Sequence, residues 1–292
     1  MLSAARIWVD DPAPQAQLTA EQARALSRIA QRISGVAVAP EKLSFIAMRV
    51  GRRLGEIGCD DYADYLDLLR GPTGAEEAKV LVECLTTHTT SFFRERAHYD
   101  WLAAAGLPAL VARGAGREWP LTIWSAACSL GSEMWTAAMV TDRFARGQPG
   151  GLRWNVLGTD ISRRILRRAA DAVFTDEEIS GLPEDYRRAY LLRSRQPISG
   201  RMLFRIAPEL RARARLAWFN LIDPDPDVRI AADVVFLRNV LIYFKPDDQR
   251  RAVATVLERL RPGGYLLTGH SESLGDPPSC LRPVAASTYQ KV

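Results

Sequence analysis

Three short stretches carry side chains able to hold a polar small molecule. The run Thr86-Thr87-His88-Thr89-Thr90-Ser91-Phe92-Phe93-Arg94-Glu95 sets hydroxyls, an imidazole and a guanidinium close together and then inserts two aromatics. Ser129-Leu130-Gly131 is followed by Glu133, and Thr159-Asp160 supplies a second carboxylate. Arg238-Asn239 follows an apolar run and leads to Tyr243. A carboxylate in the first turn of a helix repels a pyrophosphate, and docking a pyrophosphate on a helix N-terminus calls for GxGxxG, which is missing here. A phosphate-free ligand carrying positive charge fits better. Asp160 lies 160 − 131 = 29 positions beyond the glycine. There, at a strand end, it is placed to accept hydrogen bonds from both hydroxyls of a ribose. The ribose acceptor serves NAD and S-adenosylmethionine (SAM) alike, but the carboxylate disfavours NAD and suits a phosphate-free ligand with a positive sulfonium or ammonium.

The elements that position these groups can be read from periodicity. Leu121 to Ala127 is a short apolar run, and helical spacing resumes through Trp135, Ala138 and Met139. A buried strand that passes through a glycine turn into a helix is the nucleotide-binding corner of a doubly wound α/β fold. Further strands are expected at Trp154 to Gly158, at Asp233 to Leu237 and at Tyr265 to Thr268, after a turn at Pro262-Gly263-Gly264. The crevice at the C-terminal ends of such strands is where ligands bind. It would hold Arg238, Asn239 and Tyr243, with Asn220-Leu221 after another strand, where an adenine edge can be read. Arg201 to Ile206 alternates as a half-exposed strand; Leu216 to Phe219 either pairs with it or joins the main sheet. A final antiparallel strand is expected near Ser287 to Tyr289. Asp276-Pro277-Pro278-Ser279 reads as a loop. The polar run 86–95 also suits an interdomain linker that caps the helix after it.

Residues 19–85 read as a separate helical unit. Thr19-x-x-Gln22 is a capping box opening a first helix. Pro40 suits the first turn of a second, with Leu43, Ile46, Val50, Leu54 and Ile57 on its apolar face. Lys42, Arg49, Arg52 and Arg53 fall on a neighbouring face, either as a solvated surface or as a cationic surface for an acidic partner helix. A third and a fourth helix run from about Asp61 and from Ala75 to Leu85. Residues 1–18 read as a flexible leader.

Composition limits the class. The 292 residues are 47% apolar and 25% charged, as in an ordinary globular protein of about two domains. No apolar run reaches the roughly 18 residues of a membrane span, and the N-terminus lacks a signal-peptide core. The chain is therefore expected to be cytoplasmic. Cys59, Cys84, Cys128 and Cys280 form no CxxC pair and the chain has three histidines, so free thiols and no metal site are expected. The net charge of +5 is regional. Residues 1–90 carry 10 Lys/Arg and 12 Asp/Glu, whereas 163–215 carry 13 Arg and 7 Asp/Glu. A uniformly basic nucleic-acid surface is not indicated.

Taken together, these stretches resemble the CheR family of bacterial chemoreceptor glutamate methyltransferases, from about residue 20 to 290. The likeness is carried by TTHTTSFFRE (86–95), WSAACSLGSEMWTAAM (124–139), GTDIS (158–162), FLRNVLIYF (236–244) and RPGGYLLTGHSES (261–273). It implies an α/β fold: a Rossmann-like SAM-dependent methyltransferase sheet over 86–292, with a small antiparallel β subdomain at about 190–220, preceded by the helical domain at 19–85. It further implies that His88, Thr90 and Arg94 line the SAM site, that Glu133 lies near the methionine amino group or sulfonium, and that Asp160 holds the ribose. Asn220 and Leu221 would flank the adenine and Arg238 and Asn239 the methionine end, with Arg94 and Tyr243 beside the transferred methyl. The product would be S-adenosylhomocysteine. The implied partner is the cytoplasmic helical domain of chemoreceptors, met by the helix bearing Lys42, Arg49, Arg52 and Arg53 and by the β subdomain of a monomer that binds no nucleic acid. The chain departs from the family pattern at His88, where Asn is usual, and at Leu130, Ser132, Met134 and Trp135. Alternatives are a SAM-binding regulatory homologue with little transfer activity, a nucleic-acid methyltransferase and a NAD-dependent oxidoreductase.

Overall fold

Capping chemistry and apolar spacing set the first four helices. In the computed structural model, which describes residues 17–275 and 277–292, α1 spans Ala20–Ser34 and α2 Leu43–Ile57; α3 is Tyr62–Arg70 and α4 Gly74–Leu85. The expected leader lies outside the described residues apart from its last two, and of these Leu18 is buried. At α1 the Thr19 hydroxyl accepts from the Gln22 amide at 3.2 Å while the Gln22 side chain accepts from the Thr19 amide at 2.9 Å. Pro40 sits in the turn before α2 rather than in its first turn. Ile46, Val50 and Leu54 of α2 are fully buried, as are Leu26, Tyr65 and Leu81 of the other three helices. Asp61 caps α3 through the amides of Ala63 and Asp64.

One ion pair ties this helical unit together. Arg53 donates to both oxygens of Glu77, at 2.9 and 2.7 Å, and the Tyr65 hydroxyl donates to the same carboxylate at 2.8 Å. Arg53 therefore faces α4, which corrects its expected place on an outer cationic face. Arg52, with 79% of its side chain exposed, and Lys42 do lie outside, and Arg49 rests over the Phe45 ring at 5.3 Å.

The chain separates into two compact units, up to Thr87 and from His88 onward. The second begins with α5 (Ala97–Trp101), a π-turn (Leu102–Gly106) and α6 (Leu107–Ala112) running on from one another. There follow β1 (Leu121–Ser125), α7 (Ser132–Arg146), β2 (Trp154–Asp160), α8 (Arg163–Asp171) and β3 (Val173–Thr175). Next come α9 (Glu184–Tyr190), β4 (Leu191–Arg193), β5 (Leu203–Ile206), α10 (Pro208–Arg211) and β6 (Ala214–Trp218). The chain finishes with β7 (Ala232–Leu237), a 3₁₀ turn (Leu241–Tyr243), α11 (Pro246–Arg259), β8 (Leu260–Thr268), β9 (Leu281–Ala285) and β10 (Thr288–Lys291).

Seven strands form one sheet in the order β6-β2-β1-β7-β8-β10-β9. The first five run parallel, and β10 is antiparallel to both β8 and β9. Every residue of β7 is buried, as a central parallel strand covered on both faces requires. The segment 214–218, left open by its pattern, is the parallel edge beside β2 and belongs to the main sheet. The small antiparallel sheet is β3-β5-β4, so it begins at Val173, earlier than the expected 190–220, and ends before that range does. β3 and β4 have three residues each, too short for an alternation to register.

Two further differences lie near the C-terminus. Pro262-Gly263-Gly264 is a bulge inside β8 rather than a turn before it: Ala232 pairs with Leu260, yet Val234 pairs with Tyr265. A side chain on Gly264 would place its Cβ 2.7 Å from the Asp233 carbonyl oxygen, so glycine is required for the close approach. β9, unforeseen in the sequence, is an outer strand containing Pro283. Asp276 lies outside the described residues, and Pro277 to Ser279 belong to the loop before it.

Candidate active site at the C-terminal edge of the sheet

The turn after β1 is built around Gly131. Its φ of 91° is in the left-handed region, and an added Cβ would stand 3.0 Å from the Trp135 indole nitrogen and 3.3 Å from Ala169. Ser129, at φ 51°, turns its amide onto one oxygen of Asp160 at 2.9 Å, and the Ser162 amide donates to the other at 3.0 Å. The Asp160 carboxylate is thus buried and fixed by two backbone donors at the end of β2. Its remaining lone pairs give it acceptor capacity toward hydroxyls. The Ser129 hydroxyl donates to the His88 carbonyl at 2.9 Å, which brings the polar segment 88–95 onto this turn.

Arg238, the first residue past β7, joins the remaining groups. One per cent of its side chain is exposed. Its guanidinium donates to Glu133 Oε2 at 3.2 Å, to the Tyr99 hydroxyl at 3.1 Å, to the Arg94 carbonyl at 2.5 Å and to Glu95 Oε2 at 3.3 Å. Glu133 Oε1 accepts from the Ser125 hydroxyl at 2.7 Å. Both oxygens of Glu133 are therefore engaged within the protein, and the carboxylate read as a lone negative charge is balanced by a buried guanidinium. Burial still pushes the Glu133 carboxyl up, with Arg238 and Ser125 pulling the other way. At Glu95 burial also pushes up, but the Arg238 charge and hydrogen bond outweigh it and hold the carboxyl below its ordinary range.

Segment 93–95 bends sharply around this guanidinium. Phe93 and Glu95 both have positive φ, 52° and 56°, an unfavourable conformation for side chains of that size. Phe93 is wedged edge-on between Tyr99 and Tyr186, with centroids at 5.5 and 4.9 Å. The Arg94 side chain donates back to the Thr89 carbonyl at 3.2 Å, and Thr90 is half-buried in the same segment.

Beside it, Glu95, His98 and His270 bring one ligand-type atom each to within 4.8 Å of one another. A cation held there would share Glu95 Oε2 with Arg238, whose guanidinium is already 3.1 Å away. Burial first, and then Arg238, push His98 down to about 4, so it is neutral at neutral pH. The group is better described as the charge-balanced flank of the Arg238 cluster than as a metal centre.

Asn239 follows at φ 56°, its side chain 3.4 Å from Glu95 Oε1. Its amide donates to Glu272 at 2.5 Å. Tyr243 ends the 3₁₀ turn and is 37% exposed. On the other side of the sheet, Phe219 donates its amide to the Asp160 carbonyl at 3.1 Å, and Asn220 and Leu221 follow it, both buried. The Asn220 side-chain oxygen accepts from the Ile222 amide at 3.2 Å.

The C-terminal ends of the parallel strands β1, β2, β6, β7 and β8 thus open onto one edge. Arg94, Glu133, Arg238 and Asn239 belong to a single hydrogen-bonded network, while His88 joins Asp160 through Ser129. Glu95, Tyr99, Ser125, Ser129 and Glu272 complete the arrangement without having been singled out by residue type. Glu95 and Glu272 lie inside motifs that were read, but Asn239, which both bond, is 144 positions from Glu95 and 33 from Glu272. A buried carboxylate at the end of β2, a side-chain amide after β6 and a central guanidinium balanced by two carboxylates are a set of groups that fits SAM.

A parallel sheet with an antiparallel terminal strand and this edge chemistry defines a SAM-dependent methyltransferase. Two family descriptions match the sequence: the CheR methyltransferase SAM-binding domain over residues 88–289 and the CheR methyltransferase all-alpha domain over 21–86. The chain belongs to the CheR methyltransferase family. It is 31% identical to a chemotaxis protein methyltransferase of Escherichia coli K12, over 86% of this chain and 83% of that one. It is likewise 31% identical to chemotaxis protein methyltransferase 2 of Pseudomonas aeruginosa, over 88% of each. A chemotaxis protein methyltransferase of Borreliella burgdorferi is 27% identical over 94% of this chain and 95% of that one. Among the described residues no helix is long and apolar enough to cross a membrane.

Proposed function

We propose that the protein transfers the methyl group of SAM to glutamate side-chain carboxylates of methyl-accepting chemoreceptors, giving glutamate methyl esters and S-adenosylhomocysteine. The observation that carries this reading is the Arg238 cluster, which ties the turn after β1, the segment 93–95 and the loop after β7 into one edge. Asp160 would hold the ribose hydroxyls, Asn220 and Leu221 the adenine, and Arg238 and Asn239 the methionine end, with Glu133 near its amino group or sulfonium and His88, Thr90 and Arg94 lining the site. SAM, when bound, supplies an electrophilic methyl on a sulfonium.

The chain's own part is orientation and exclusion of water. A glutamate with pKa near 4.3 is already ionised at neutral pH, so the acceptor needs no general base. The nucleophile is an anion and the donor a cation, so charge is neutralised in the transition state and a water-poor edge favours it. Arg94 and Tyr243 each have donors suited to aiming a carboxylate. A tight ion pair with Arg94 would blunt the nucleophile, so its role is positioning.

The exposed Lys42 at the start of α2 and Arg52, with the half-buried Arg49, are suited to an acidic, glutamate-bearing receptor helix. The small sheet β3-β5-β4 offers a second contact. The reading takes the protein as a cytoplasmic monomer. The test is incubation with methyl-labelled SAM and either receptor cytoplasmic fragments or RNA. Label on the receptor that mild base releases as methanol is the expected result; label on RNA, or on neither, overturns the proposal.

A further inference from the structure

We infer that Glu272 is a positioning residue for methyl transfer, acting by fixing the backbone of the loop that carries Arg238, Asn239 and Tyr243. This inference rests on the function proposed above. Glu272 is 4% exposed and lies just beyond β8. Its Oε2 accepts from the Asn239 amide at 2.5 Å and from the Gly269 amide at 2.8 Å, and its Oε1 accepts from the Ile242 amide at 3.3 Å.

The placement of these three donors carries the argument. The Asn239 amide is the peptide joining it to Arg238, and the Ile242 amide lies one residue before Tyr243. One carboxylate therefore pins both ends of the loop and, through Gly269, attaches it to the end of the neighbouring strand. Asn239 is held at φ 56°, in the left-handed region that asparagine tolerates better than most side chains, and its amide is thereby turned onto Glu272. Charge-assisted bonds from backbone amides to a carboxylate are the strong kind. Space for the clamp is provided by Gly269: a Cβ there would stand 2.5 Å from Glu272 Oε2 and 2.9 Å from the Asn239 side-chain nitrogen. Both oxygens of the buried carboxylate are engaged by structural amides, so Glu272 acts on the reaction through the loop.

A double-mutant cycle separates positioning from bulk stability, because residues that act as a unit give non-additive effects. Tyr243→Phe is measured in the wild-type, Glu272→Gln and Glu272→Ala proteins, at saturating SAM and receptor fragment and below the melting temperature of each. Tyr243→Phe should lower kcat about tenfold in the wild type and less than about twofold in Glu272→Ala, with Glu272→Gln between them. Glu272→Gln retains an oxygen for the Asn239 and Gly269 amides and also covers the case in which Glu272→Ala does not fold. Equal losses in all backgrounds overturn the inference.

Amide hydrogen exchange gives a readout that needs no turnover. In Glu272→Gln the Ile242 amide should exchange at least about tenfold faster, with Val235 in β7 unchanged. Unchanged exchange at Ile242 overturns the inference. If the wild type methylates no receptor fragment, the proposed function fails, while exchange still decides whether Glu272 holds the loop.

Discussion

Arg238 Nη1 and Glu133 Oε2 meet at 3.2 Å, with 1% and 12% of their side chains exposed. Breaking a buried pair from one side leaves an uncompensated charge. Arg238→Met should therefore destabilise the protein by about 3–5 kcal/mol in urea unfolding, because it strands both Glu133 and Glu95. Glu133→Gln, which keeps the acceptor toward Ser125 or Arg238, should cost clearly less.

Asp160 is held by two backbone amides and faces the proposed ribose. Asp160→Ala should weaken SAM binding by at least about tenfold in calorimetry, and Asp160→Asn, which keeps one acceptor, by less. Unchanged affinity in the alanine variant refutes the ribose role.

Tyr243→Phe and Arg94→Ala should reduce methyl transfer more than SAM binding. A half-exposed phenol on the loop after β7 and a guanidinium that donates to the Thr89 carbonyl are suited to meeting the acceptor. Parallel losses in transfer rate and in SAM affinity would sink that division of roles.

His98 is pushed down to about 4 by burial and by Arg238, from an ordinary value of 6.5. A depressed value means that the unfolded chain takes up a proton before the native protein does. Stability from this group is complete above about pH 6.5 and is lost as pH falls toward 4, by up to about 3 kcal/mol. Glu95, Arg238 and His270 all face this ring. Glu133, raised by its own burial, acts in the opposite direction over part of the same window. The comparison that isolates His98 is the difference in urea stability between pH 7 and pH 5, which should be smaller in His98→Phe than in the wild type.

On α2, neighbouring arginines should separate into two kinds. Arg53→Ala should destabilise the helical unit by about 1–2 kcal/mol through loss of the Glu77 fork. Arg52→Glu should leave stability nearly unchanged and raise KM for the receptor fragment. An unchanged KM would remove α2 from the receptor contact.

The central strands were legible because buried parallel strands are continuous apolar runs: Leu121–Ser125, Trp154–Asp160 and Ala232–Leu237 each ended where a polar residue of the edge begins. The short strands Val173–Thr175 and Leu191–Arg193 carry too few residues for a pattern, and Pro283 concealed the strand Leu281–Ala285. At the sheet edge, residue type and strand position pointed to Asp160, Glu133, Arg238 and Asn239, which lie there in bonded groups. What no local pattern encodes is who bonds to whom. Arg53 turned inward because Glu77 lies on α4, and Glu133 is neutralised because Arg238 ends a different strand.

Pro283 has a consequence for how the chain meets copies of itself. A proline has no amide hydrogen, and on an outer strand it interrupts the row of donors that an incoming strand would need. At the opposite border of the same sheet, β6 carries the exposed Arg215. Charge at one margin and a missing donor at the other guard the seven-stranded sheet against edge-to-edge aggregation.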